Sequence, residues 1–197
     1  MGIDKAKDGK LLYHLTKLEN LDSILKFGLL PRKIILENSI KFGDVADGEI
    51  ISKRTELGLD GYTPFHFHPY SAFDAAVKHT YDSTKMIYIC INRELARYNN
   101  FKVLPQHPLS ETECVLYDYD EGISMIDWDT LMEVGRQDNY AREVKMAECL
   151  TDLIVPARCF KCIFVPSQEI KEEVEYIMNK RGIDFPPPYV NVQSKMF

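Results

Sequence analysis

Apolar positions along the chain recur at two different spacings, which predict a mixture of strands and helices. Short runs rich in β-branched and aromatic residues predict strands at 11–16, 62–68, 85–92, 101–104, 148–151 and 158–165. Apolar residues at helical spacing predict helices at 19–27, 70–81, 126–134 and 169–180. After the prolines at 186–188, we expect the ordered pattern to end.

Strands and helices are interspersed without a regular β-α-β alternation, which favours an α+β fold with a mixed or antiparallel sheet flanked by helices. A length of 197 residues favours one domain over residues 1–197, with 183–197 as a less regular C-terminal tail. The glycine-punctuated stretch between Gly28 and Tyr62 predicts a long, partly helical excursion across the surface. Connections of this length are usually functional.

The composition is that of an ordinary soluble globular protein, with 45% hydrophobic and 27% charged residues. Its longest apolar runs fall well short of the roughly 20 residues that cross a bilayer, and no apolar signal segment follows Met1. Five cysteines scattered among apolar residues suit reduced thiols. We therefore expect a cytoplasmic protein without membrane attachment.

The net charge of −6 is unevenly distributed along the chain. Residues 1–54 contain ten Lys or Arg and eight Asp or Glu, so the remaining residues carry the whole excess of negative charge. This charge distribution excludes a protein whose whole surface is basic. A polyanionic partner would have to bind in a local basic cleft.

Two residue pairs have the spacing of partial metal sites. His66 and His68 lie on one face of a predicted strand, and Cys159 and Cys162 form a single Cys-x-x-Cys pair. Neither pair has further ligands at a suitable spacing, so we expect no metal. The sequence also lacks the Walker A, dinucleotide-binding, nucleophile-elbow and zincin motifs, which removes the usual support for those enzyme classes.

Several polar residues interrupt otherwise apolar segments. His14 and Thr16 share one face of the first predicted strand, and Asn20 is a suitable N-cap for the helix that follows. Glu148 stands beside an apolar pair, where its charge is costly unless it reaches a cleft or a partner. A surface salt bridge would explain Glu148 equally well.

These residues form part of a pattern that resembles a known family. The segment Tyr-His-Leu-Thr at 13–16, with the residues up to 29, is similar to the strand and helix that hold NAD in ADP-ribosyltransferases. Residues 62–69 and 126–128, together with Arg142-x5-Glu148, resemble the narrower DarT-like family, the DNA ADP-ribosyltransferase toxins of bacterial toxin-antitoxin systems. The resemblance runs in register from residue 12 to 165.

The resemblance implies an ADP-ribosyltransferase-like split sheet and the transfer of ADP-ribose from NAD, as co-substrate, to thymidine or guanosine in single-stranded DNA. It also implies a macrodomain-type antitoxin as partner. By the same resemblance, Glu148 and Arg54 are catalytic, and Arg142 and His107 contact DNA. The residues implied in NAD binding are His14, Leu15, Thr16, Asn20, Ser23, Pro31 and Arg54.

One departure from the family pattern bears on the substrate. Where the family usually has Arg-Ser-Pro, this chain has Tyr70-Ser71-Ala72, which leaves the preferred base open. Two alternatives remain at this point, namely an RNA 2′-phosphotransferase-like enzyme and an inactive nucleic-acid-binding domain of the same fold.

Overall fold

The computed structural model describes residues 2–46, 48–108, 114–183 and 186–197. Within these residues the strands are β1 Leu11–Lys17, β2 Thr63–His66, β3 Met86–Asn92, β4 Lys102–Leu104, β5 Glu148–Thr151, β6 Cys162–Val165 and β7 Tyr189–Val192. The α-helices are α1 Leu21–Phe27, α2 Arg32–Glu37, α3 Gly48–Glu56, α4 Ala72–Thr80, α5 Arg93–Tyr98, α6 Tyr119–Met125, α7 Trp128–Met132, α8 Asn139–Val144 and α9 Gln168–Lys180. In the described parts of the chain, no helix combines the length and apolarity needed to cross a bilayer.

The strands form one mixed sheet in the order β4-β5-β2-β1-β3-β6-β7. Neighbouring strands are antiparallel except for β6 and β7, which run parallel. The predicted α+β class is therefore confirmed. The expectation that order ends at the prolines is wrong, because β7 follows them and pairs with β6 along its length.

Because side chains alternate across a strand, the central strands supply two apolar layers. One layer includes Ile87, Ile89 and Ile91 of β3 and packs against helices such as α1 and α9. The other layer includes Tyr88 and Cys90 and packs against α4 and the C-terminal residues. Burial on both faces explains why β3 is a nearly continuous apolar run in the sequence.

The sheet is split between β1 and β2. These strands share a single residue pair, Tyr13 with His66, whereas β1 pairs with β3 over its whole length and β2 pairs likewise with β5. Pro64 lies in β2 just past the shared pair and has no N–H to donate across the gap. The strands therefore diverge beyond Tyr13, and a cleft opens between the two halves of the sheet.

The first helix begins differently from the sequence expectation. Asn20 was expected to cap it, but Asn20 has helical backbone angles and makes no side-chain cap hydrogen bond. A short 3₁₀ turn, Leu18–Asn20, leads directly into α1. The side chain of Asn20 is thereby released for contacts elsewhere, which are described below.

The bounds of three other predicted elements also change. The helix predicted at 126–134 shortens to α7, since Asp127 caps it and accepts a hydrogen bond from the N–H of Thr130. The strand predicted at 158–165 begins only at Cys162, after a 3₁₀ turn at Ala157–Cys159. The strand predicted at 62–68 ends at His66.

Helix α4 starts with a capping box that fixes its position beside the cleft. The Ser71 hydroxyl accepts a hydrogen bond from the Asp74 N–H at 3.0 Å, and Asp74 Oδ2 accepts one from the Ser71 N–H at 3.2 Å. Both residues are fully buried. The Phe73 ring next to them stacks on the His66 imidazole with 6.0 Å between centroids.

We predict that Ser71→Ala lowers the free energy of unfolding by about 1–2 kcal/mol, because the substitution removes a helix cap and leaves a buried N–H unpaired. Urea denaturation of the variant and the parent measures this. Ser124→Ala is the matched control, since Ser124 is exposed inside α6 and caps no helix. Equal losses in the two variants would contradict the role of the cap.

Candidate active site

The cleft between the two halves of the sheet has a volume of about 1300 Å³, including its open mouth. Residues of β1, α1, α3, β2 and β5 line the cleft, together with residues from the connection between α2 and α3. The lining includes His14, Leu15, Thr16, Asn20, Ser23, Arg54, His107 and Glu148, all of which the family resemblance implied.

His14 projects from β1 at the point where the strands separate. Its Nδ1 lies 2.8 Å from the Pro64 carbonyl oxygen, and because a carbonyl only accepts, Nδ1 carries the proton. Burial lowers the pKa of His14 to about 4, so the ring is neutral near pH 7. The Nε2 atom of this neutral tautomer is consequently a hydrogen-bond acceptor for a ligand.

Arg54 and Glu148 form a buried ion pair across the cleft. Arg54 Nη1 donates to Glu148 Oε1 at 2.9 Å and to Oε2 at 2.8 Å. The two side chains are only 13% and 6% exposed. Arg54 comes from α3 and Glu148 from β5, so residues far apart in the sequence meet here. The Arg54 Nη2 atom is buried and has no hydrogen-bond partner among the described residues.

The charge state of Glu148 follows from its neighbours. Burial raises the pKa of its carboxyl, but the positive charge of Arg54, together with His66, outweighs that effect. The net pKa lies below the ordinary value, so Glu148 is a carboxylate at neutral pH. The cleft thus holds a buried negative charge beside an arginine with unused hydrogen-bonding capacity.

His66 is a cleft residue to which the sequence analysis gave no functional role. It lies directly opposite Glu148 on the neighbouring strand and is almost fully buried. Its Nδ1 has no hydrogen-bond partner within the described residues. Strand periodicity was the sequence signal that could have identified His66. Pro64 and His66 are two residues apart in β2, so their side chains lie on the same face of the sheet.

His68, by contrast, has a structural role. It lies beyond the end of β2, where its Nε2 donates to the Lys145 carbonyl at 2.9 Å and its Nδ1 accepts the Tyr70 N–H at 3.2 Å. Burial lowers the pKa of His68 to about 3, which keeps the ring neutral. Across the described residues, no group of three or more His, Cys, Asp or Glu side chains is arranged to hold a metal ion.

Two of the implied site residues do not line the cleft. Pro31 lies buried just before α2, where its carbonyl accepts the Ile35 N–H. Arg142, which the resemblance places in contact with DNA, lies on the exposed side of α8. Its Nε donates to the Gln137 carbonyl, while its two terminal nitrogens bond to no described residue.

Sequence comparisons identify relatives of this chain. The DarT family model, described as ssDNA thymidine ADP-ribosyltransferase, matches residues 13–197. The chain is 24% identical over 188 residues to a DNA ADP-ribosyl transferase-DNA ADP-ribosyl glycohydrolase fusion protein of Thermosipho africanus (strain H17ap60334). That match covers 89% of this chain and 47% of the relative, so the chain spans about half the length of that curated protein.

Solved structures share the fold. DarT of Thermus sp. 2.9 in complex with ADP-ribosylated ssDNA has a TM-score of 0.83 at 22% identity, covering 96% of this chain and 97% of that chain. The same protein in complex with NAD+ has a TM-score of 0.77 at 19% identity, covering 95% and 97%. The expected ADP-ribosyltransferase-like split sheet is therefore confirmed.

We predict that Arg54→Met lowers the free energy of unfolding by about 3–5 kcal/mol at pH 7, because it leaves the Glu148 carboxylate buried without a partner. In the variant, burial raises the pKa of Glu148 above its value in the unfolded chain. The deficit relative to the parent should therefore shrink as the pH falls and Glu148 takes up a proton.

Urea denaturation at pH 7 and pH 4 measures the deficit of Arg54→Met. The double variant Arg54→Met/Glu148→Gln is the control, since it removes both charges and should recover part of the lost stability at pH 7. A deficit that is independent of pH and unchanged in the double variant would contradict the buried ion pair.

Proposed function

Because this chain belongs to the DarT family of ssDNA thymidine ADP-ribosyltransferases, we propose that it transfers ADP-ribose from NAD to a thymidine base of single-stranded DNA, using the cleft as its active site. The observation that carries this proposal is the buried pair of Arg54 and Glu148 in a cleft that His14 and Thr16 also line. The family match favours this activity over the RNA 2′-phosphotransferase-like and inactive alternatives.

The properties of the cleft suit NAD as co-substrate. Apolar side chains such as Leu15 and Ile24 line it beside a few polar groups, a combination typical of small-molecule sites. The His14 Nε2 atom is available to accept a hydrogen bond from a ribose hydroxyl. The unpaired Arg54 Nη2 is available to donate one to a phosphate or carbonyl oxygen.

Glu148 would act on the bond between nicotinamide and ribose. As this bond breaks, positive oxocarbenium character develops on the ribose, and nicotinamide leaves with the bonding electrons. A carboxylate near the ribose stabilises this charge more in the transition state than in the ground state. The lowered pKa of Glu148 keeps the carboxylate charged for this role.

The thymine ring has a single N–H, and that nitrogen loses its proton to solvent water as it bonds to the ribose carbon. Arg54 is unsuited as a proton acceptor, because a guanidinium group stays protonated in proteins and Arg54 already donates to both Glu148 oxygens. Arg54 therefore serves as a hydrogen-bond donor that holds Glu148 and polarises a substrate oxygen. Bases inside a duplex are inaccessible, which favours a single-stranded substrate.

We also propose the domain organisation and the biological context of the protein. Residues 1–197 act as one domain. The protein works in the cytoplasm as the toxin of a toxin-antitoxin system, and its partner is a macrodomain-type antitoxin. The Thermosipho africanus relative, in which a transferase is fused to a DNA ADP-ribosyl glycohydrolase, supports such a pairing. Arg142 and His107 would contact the DNA strand.

We predict that Glu148→Gln reduces transfer at least about a hundredfold while NAD still binds, because a neutral amide cannot offset the developing positive charge. The assay incubates the protein with NAD and single-stranded oligonucleotides and weighs the products by mass spectrometry. One oligonucleotide contains thymidine without guanosine, and the other contains guanosine without thymidine.

Glu94→Gln is the matched control, since Glu94 is exposed on α5 and lies outside the cleft. Modification of the guanosine oligonucleotide alone would contradict the proposed thymidine specificity. A Glu148→Gln variant that keeps more than about a tenth of the parent rate would contradict the catalytic role of this residue.

We predict that Arg142→Ala weakens binding of the oligonucleotide and lowers the slope of log affinity against log salt by about one, because its free terminal nitrogens can neutralise one phosphate. NAD affinity should stay unchanged, since Arg142 lies outside the cleft. Arg158→Ala, at another exposed arginine, removes the same charge as a control. Equal salt slopes for both variants would show that Arg142 does not contact the strand.

A further inference from the structure

One wall of the cleft is an irregular segment of residues 40–46, between α2 and α3, which we call the wall segment. All of it except Lys41 lines the cleft, and Phe42, Gly43 and Asp44 are only half-buried. From residue 41 to 46, the backbone makes no backbone hydrogen bond to any other described residue. Side chains from elsewhere must therefore hold this wall in place.

Asn20 supplies most of that attachment. Its Nδ2 donates to the Gly43 carbonyl at 2.9 Å, and its Oδ1 accepts the Gly43 N–H at 2.7 Å. The pair of bonds mimics the exchange between two paired residues in an antiparallel sheet. The second N–H of Nδ2 donates to Thr16 Oγ1 at 3.1 Å. Both amide hydrogens are thus in use, so Asn20 has no donor left for a ligand.

A second attachment comes from an ion pair at the side of the wall segment. Arg32 Nε, at the start of α2, donates to Asp44 Oδ2 at 2.8 Å, and the Arg32 guanidinium lies over the Phe42 ring at 6.0 Å. Asp44 Oδ1 accepts the Ala46 N–H at 3.1 Å, which ties the carboxylate to its own segment. Arg32 and Asp44 are each about 30% exposed, so we expect this pair to contribute less than Asn20.

We propose that Asn20 is a positioning residue that serves NAD binding indirectly, by fastening the wall segment, with Arg32 and Asp44 as a second fastening. The inference rests on the proposed function for the identity of the ligand. It differs from the family resemblance, which implied that Asn20 binds NAD itself. When the fastening is lost, the wall must order itself at the moment of binding, and that ordering lowers the affinity for NAD.

Hydrogen–deuterium exchange of the protein without NAD or DNA tests the fastening directly. Asn20→Ala should accelerate exchange of the Gly43 amide and its neighbours in the wall segment, whereas the β3 amides keep their protection. Asn20→Asp, which retains the acceptor for the Gly43 N–H but loses both donors, should have an intermediate effect. Unchanged exchange at Gly43 in Asn20→Ala would overturn the proposal.

Calorimetric titration with NAD tests the functional consequence. Asn20→Ala should raise the Kd for NAD roughly tenfold, and Asp44→Asn roughly threefold, with little change in kcat at saturating NAD. Asp44 is partly exposed, so Asp44→Asn remains informative if Asn20→Ala folds poorly. Asn38→Ala is the matched control, because the Asn38 amide bonds only within α2 and lies outside the cleft.

The double variant Asn20→Ala/Asp44→Asn separates positioning from direct contact. If both residues act through the one wall segment, the double variant binds NAD about as weakly as Asn20→Ala alone. Multiplied effects, or a large loss in Asn20→Ala with none in Asp44→Asn, would mean that Asn20 binds NAD directly and would overturn the proposal. A parent protein that fails to bind NAD would contradict the proposed function, while the exchange experiment would still decide the fastening.

Discussion

The separation of β1 from β2 is the constraint on which the rest of the structure depends. One residue pair, Tyr13 with His66, joins two halves of a sheet that are otherwise regularly paired. Beyond that pair, the His14 imidazole donates to the Pro64 carbonyl in place of a backbone N–H. Buried backbone groups need hydrogen-bond partners. The His14 side chain supplies one for the Pro64 carbonyl of β2, so the two strands can stay apart and leave a cleft between them.

The cleft in turn allows charges to be buried where an ordinary sheet would exclude them. Glu148 is a buried residue of β5, where the apolar residues Cys149 and Leu150 follow it in the strand. Its charge is offset by Arg54, which extends from α3, a helix without buried residues. Such a pair is weak evidence for stability, because desolvation offsets much of the attraction. Its position in a cleft, with Arg54 Nη2 unpaired, is the feature on which the proposed role in binding and chemistry rests.

Much of the fold was predictable because the central elements are strongly patterned. The runs that form β1 and β3 and the helical spacing in α9 were identified within a few residues. The short helices α5, α6 and α8 were not, since six or seven residues carry too little periodicity. β7 was also missed, because pairing with β6 supplies the ordering that its own sequence does not signal.

The sequence by itself determined the fold class, and its resemblance to a known family singled out His14, Thr16, Arg54 and Glu148, which the structure brings together in one cleft. Only the tertiary structure decided which of these residues contact one another. The pairing of Arg54 with Glu148 joins segments 94 positions apart, and no local pattern reports such a distance. The role of Asn20 changed for the same reason: a local capping rule was overridden when Gly43, 23 residues away, offered the amide a more complete set of hydrogen bonds.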